Sequence, residues 1–214
     1  MLKLAYMMPM AALLTAHSLV NAAEPATVGC KTVKLVLDER VTPSELDRLW
    51  ASGETPATDV HAVLQLHGCN GELLDSRTLE APLAKLDPAP LRGVRPLTVL
   101  VTVDLRAPMG SYSGPLTRPF QIDGNRLHPA QARAADGQMQ PVALAQTGKA
   151  GWKKVTVRGA DQFLVVRSEP HQDGQFTTRF SRYVPGPQGW RVLERSQPGL
   201  WESDGEFPAR RSFP

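Results

Sequence analysis

The stretch from Ala62 to Gly71 reads Ala-Val-Leu-Gln-Leu-His-Gly-Cys-Asn-Gly and holds the residues best able to do chemistry. An imidazole at His67 and a thiol at Cys69 are a potential base and nucleophile, provided the thiol is free to ionise. A metal site is the other chemistry these residue types allow. On an extended strand His61, Val63, Gln65, His67 and Cys69 point the same way, which gathers two imidazoles and a thiol on one face. Such a strand also holds the two histidines about 20 Å apart, too far for one ion, and a helix turns them to different faces. No metal and no cofactor is therefore expected here.

The apolar run ending in His67-Gly68-Cys69-Asn70-Gly71 resembles the strand and oxyanion loop of α/β-hydrolases over about ten residues. That fold also needs a Gly-x-Ser-x-Gly elbow, and Gly110-Ser111-Tyr112-Ser113-Gly114 places a tyrosine at its centre. His67-Gly68-Cys69 is also similar to the cysteine motif of L,D-transpeptidases, cell-wall enzymes. Leu66 stands where that motif has Ser or Thr, and Asn70 and Gly71 where it has an apolar residue and Arg. A hydrolase or transpeptidase using His67 and Cys69 is thus the alternative function.

The only other cysteine, Cys30, decides against it. Residues 1–22 read as an export signal, with Lys3 as the charged start, Leu4 to Ala16 as the apolar core and Val20-Asn21-Ala22 as the cleavage site. An exported chain with two cysteines pairs them, so a Cys30 to Cys69 disulfide is expected, and it removes the thiolate. The location that follows is periplasmic or secreted. The signal core is too short to span a bilayer, and no other segment is apolar enough, so no integral membrane span is expected. A formal net charge of +3 lacks the basic excess of a nucleic-acid protein.

The 19 prolines and 17 glycines predict many turns and few long helices. Thr42-Pro43-Ser44-Glu45 opens a helix with a capping box, and Gly53 stops it. A further region that admits helix runs from Asp59 to Leu86, limited by Pro82 and Pro88. From Leu97 to Leu105 the apolar period becomes two, as in a strand with one strongly buried face. Asp136-Gly137 reads as a hairpin turn. Further turn signals separate the segments 152–158, 162–168, 176–183 and 190–195, which read as a four-stranded antiparallel meander.

The fold class expected is therefore α+β, a short N-terminal helical region packed on a C-terminal antiparallel β-meander. One domain spans 23–197, with a mixed part at 23–94 and a sheet at 95–197, and 198–214 forms an irregular tail. Within the meander, residues 152–195 carry eight basic and four acidic side chains, a local excess of +4. Strand parity puts Arg179 and Tyr183 opposite Phe176 and Phe180. With the phenylalanines buried, that pair becomes an outward-facing partner-binding site. The function expected is an exported, non-enzymatic interaction protein that binds another envelope or secreted protein through its sheet.

Overall fold

A computed structural model describes residues 25–38, 40–52, 60–104 and 110–214. The signal segment 1–22, Gly53 and Leu105 lie outside these residues. In chain order the first strands are β1 (Ala26–Val28), β2 (Lys31–Val36), β3 (Val63–His67), β4 (Leu73–Thr78) and β5 (Ala84–Asp87). They are followed by β6 (Leu97–Asp104), β7 (Pro115–Asp123), β8 (Arg126–Pro129), β9 (Gln131–Arg133) and β10 (Met139–Pro141). The last are β11 (Leu144–Ala145), β12 (Ala150–Val157), β13 (Ala160–Pro170), β14 (Phe176–Gly186) and β15 (Gly189–Pro198). One α-helix, α1 (Pro43–Ser52), is present among the described residues.

This overturns the α+β expectation, because the N-terminal half is itself built of sheet. Strands β1-β2-β3-β4 form one antiparallel sheet, and β11-β7-β6-β5, with β8 paired to β7, form a second. The third sheet runs β10-β9-β15-β14-β13-β12, and its β12 to β15 are the antiparallel meander read from the turns. The helix at Thr42-Pro43 does form, with the Glu45 amide donating to Thr42 Oγ1 at 3.2 Å. Asp59 lies outside the described residues, and the rest of the region 59–86 instead holds β3, β4 and most of β5. Its alternating Ala62, Leu64 and Leu66 drop into a core between the first two sheets, against Val99, Val101, Val103, Phe120 and Leu127.

Strand β6 is buried on both sides. Val99, Val101 and Val103 face the first sheet, while Leu100, from the opposite face, joins the core of Phe163, Val165, Tyr183, Trp190 and Val192 that backs the third sheet. The middle sheet therefore lies between the other two, and three layers share two apolar cores. A third cluster lies on the far face of the third sheet, where Leu164, Val166 and Phe180 are covered by Trp201, Phe207 and Phe213 of the tail.

Asp161 ties the second and third layers. Its carboxylate is 1% exposed, accepts from the Arg92 amide at 3.0 Å and from Thr156 Oγ1 at 2.7 Å, and lies near the Arg92 guanidinium. The Asp161 amide in turn donates to the Arg92 carbonyl at 2.8 Å. Burial alone would raise this carboxyl's pKa, but the Arg92 amide, the Thr156 hydroxyl and the Arg92 and Lys154 cations together hold it below its ordinary 3.8. A depressed carboxyl stabilises the fold above its unfolded-state value and loses that contribution as pH falls through the folded one. Equilibrium unfolding should therefore show stability lost below about pH 4. The Asp161→Asn variant should be weaker by about 1–3 kcal/mol at pH 7 and should lose less on acidification. Equal slopes for the two proteins between pH 6 and 3 would refute this role.

Candidate functional site

Cys30 lies in the turn between β1 and β2, and Cys69 in the turn between β3 and β4. Strands β2 and β3 pair with Thr32 opposite His67, and continuing that register sets Cys30 opposite Cys69. The two are joined as a disulfide with Cα atoms 4.8 Å apart, and no free cysteine remains. The bond is consistent with an oxidising, extracytoplasmic location.

His67 is held as part of the same turn. Its Nδ1 donates to the Gly71 carbonyl at 3.0 Å, and its Nε2 lies 3.0 Å from the Gln65 side-chain amide oxygen. Both ring nitrogens are thus engaged, and Cys69 has no thiolate, so the pair named for catalysis forms a covalently closed turn. A nucleophilic role would first require reduction. Among the described residues no group of three His, Cys, Asp or Glu side chains is arranged to hold a metal ion.

Tyr183 and Arg179 do share a face, but it is the one turned toward the middle sheet. Tyr183 is 7% exposed within the Phe163 and Trp190 core, and burial, with Glu194 adding to it, pushes its phenol up to about 12. Arg179 lies on the same face beyond the core, paired with Glu169 at 3.4 Å. The assumption that failed was that Phe180 marks the inner face. Phe180 faces outward and is buried by the tail, with its ring 5.5 Å from that of Phe213.

Correcting the face moves the basic residues. Pairing sets Arg195 beside Phe180, Leu193 beside Arg182, and Arg191 beside Val184, all on the outer face. Strand β9 runs parallel to β15 with Arg133 beside Arg191, and Met139 of β10 pairs with Arg133. The tail covers the outer face over β12 to β14, reaches this side at Pro214, whose carbonyl accepts from Arg182 Nη1 at 3.2 Å, and leaves the rest bare, with Met139 51% and Leu193 40% exposed.

Like charges directly paired across strands repel. Neither Arg133 nor Arg191 has an ion pair or side-chain hydrogen bond among the described residues, so none of these offsets the repulsion. Arg195 lies over the Phe180 ring at 5.7 Å. Burial first, and the neighbouring Arg210 second, lower the pKa of the Arg182 guanidinium. A concavity of about 420 Å3 is lined by Arg133, Ala134, Ala135, Arg191 and Leu193, together with Glu194 and Pro214. The Glu194 carboxylate accepts from Ser181 Oγ at 2.8 Å. Sequence reasoning counted Arg191 and Arg195 in the basic excess and missed Arg133, because a short strand added in parallel from outside the meander leaves no local signal.

A second groove, of about 760 Å3, lies between the loop from Leu91 to Leu97 and the turn at Pro185 to Pro187. Its lining is apolar except for Arg95 and offers no acid and base pair. No protein-family model, curated protein or solved structure matches the chain. No described helix is long and apolar enough to cross a membrane.

Proposed function

We propose that this chain is an exported, non-catalytic binding protein of the periplasm or the secreted fraction. Its third sheet docks an acidic surface of another envelope or secreted protein, as an inhibitor, assembly factor or accessory subunit would. The observation that carries the reading is the pair Arg133 and Arg191, set side by side with no ion pair among the described residues, on a sheet face that also exposes Met139 and Leu193. Arginine and methionine are enriched in protein interfaces, and a guanidinium that none of the described residues pairs is suited to a carboxylate of another molecule. The disulfide supports the export half of the reading.

Comparative pull-downs from envelope extract test it. The native protein should retain an acidic partner, and Arg133→Glu with Arg191→Glu should lose it while melting at the native temperature. Retention should also weaken with salt, since exposed charge pairs are screened over about 8 Å at physiological ionic strength. Recovery unchanged by the double charge reversal would reject the site.

A further inference from the structure

The covered half of the outer face is a worked example of what the sheet can hold. Trp201 lies directly on Gly151, where a Cβ would come within 2.8 Å of the indole. The Trp201 amide donates to Ser168 Oγ at 2.8 Å, and Thr178 Oγ1 donates to the Gly199 carbonyl at 2.8 Å. Lys149 pairs with Glu202, Lys153 lies 4.7 Å from the Phe207 ring centre, and Phe207 stacks on Phe213. The segment 199–207 reads Gly-Leu-Trp-Glu-Ser-Asp-Gly-Glu-Phe, two aromatic residues bracketing three carboxylates. Its rings sit on the apolar floor, and one of its carboxylates meets a cation at the edge.

The bare half continues the same face with the same chemistry. Leu193 and Met139 are its floor, Arg133, Arg191 and Arg195 its cations, and none of the outward residues of β9, β10 and β15 is acidic. The concavity lined by Arg133, Ala134, Ala135, Arg191 and Leu193 offers space for a ring, with Glu194 and Pro214 also on its wall. A guanidinium can both pair with a carboxylate and stack on an aromatic face, and Arg195 already does the latter against Phe180.

We infer that the bare half binds an extended peptide segment of the partner in which aromatic residues bracket carboxylates, chemically like the chain's own tail. The inference rests on the proposed protein-binding function and names the class of segment recognised. A nucleic acid or anionic glycan would satisfy the arginines but leave Met139 and Leu193 exposed. An apolar helix would leave the arginines unpaired.

A fluorescent peptide with the sequence of residues 199–207, titrated into the full mature chain, tests this. Saturable binding is expected, weakened about tenfold or more by Arg133→Glu with Arg191→Glu in the protein. Comparable losses are expected when the peptide carries Glu202→Gln, Asp204→Asn and Glu206→Gln, or Trp201→Ser and Phe207→Ser. Binding indifferent to the two arginines, as exchange with the resident tail would give, overturns the inference. So does equal binding by the peptide lacking its aromatic residues, the result expected of a simple polyanion site. If charge reversal abolishes partner recovery yet the peptide neither binds nor competes, the peptide inference fails and the proposed function stands. If neither partner nor peptide responds to the arginines, both fail.

Discussion

Replacing Trp190 by Ala is expected to cost about 3–5 kcal/mol, enough to unfold a large fraction of a marginally stable chain. Trp190 is 1% exposed at the centre of the core between the second and third sheets, stacked on Phe163 with ring centres 5.1 Å apart. Phe163 in turn meets Trp152 edge-on at 5.8 Å. Truncation to a methyl removes the stack and leaves a void bounded by strands that are each fixed in a ladder and cannot collapse into it. Trp190→Phe should behave differently. The buried indole Nε1 makes no hydrogen bond among the described residues, so its removal breaks none of theirs while most of the ring area is kept. That variant should lie within about 1.5 kcal/mol of the native protein. Urea denaturation of both reads the difference directly. A loss below about 1 kcal/mol for Trp190→Ala would mean the two layers do not depend on this core.

The β12 to β15 meander of the third sheet was legible because its turns are short and glycine-marked. Asp173-Gly174 and Pro185-Gly186-Pro187-Gln188-Gly189 force neighbouring strands together, and their registers follow. Helix α1 was legible for the same reason, since Thr42 and Pro43 act locally. What could not be read was which face of a strand meets which layer. Leu97 to Val103 alternates as if one face were solvated, yet Thr98 and Leu100 are buried. A threonine marks a solvated face only when no neighbour satisfies it, and Thr98 Oγ1 donates to the Pro96 carbonyl at 2.8 Å.

The same ambiguity inverted the partner site. On β14 both faces carry aromatic residues, Phe180 outward and Tyr183 inward, because the tail supplies a cover that lies far along the chain. Parity correctly placed Arg179 with Tyr183. It could not say that Phe180 is buried by residues 201–213 and not by another sheet. The strands between Val63 and Asp87 were missed because the region from Asp59 to Leu86 carries only Pro82 and Pro88 as local limits, and these do not decide between helix and strand. In the fold Leu83 packs with Val41 and Val60, while Leu79 and Leu86 belong to the main N-terminal core.

Breaking the disulfide is the second large effect expected, a loss of about 4 kcal/mol on the chain-entropy model. The bond spans 39 positions, so its removal frees α1, the segment between β2 and β3 and both flanking turns in the unfolded chain. The β2 and β3 ladder already brings the two turns into register, so in the chain-entropy model the link acts chiefly on the unfolded chain. Cys69→Ser, Cys30→Ser and the double variant should therefore lose the same stability, and dithiothreitol should shift the native protein's urea midpoint to match them. Identical losses follow if the sulfurs act only as a link. A distinct role for Cys69 would break that equality, because a functional thiol at 69 would survive in Cys30→Ser alone. If Cys30→Ser reacts rapidly with a thiol reagent near neutral pH and gains ester or peptide hydrolysis, His67 is acting on Cys69 as a base, and the turn is a masked nucleophile. The hydrogen bonds that His67 makes to Gly71 and beside Gln65 predict the opposite, an ordinary thiol beside an imidazole already committed to the turn.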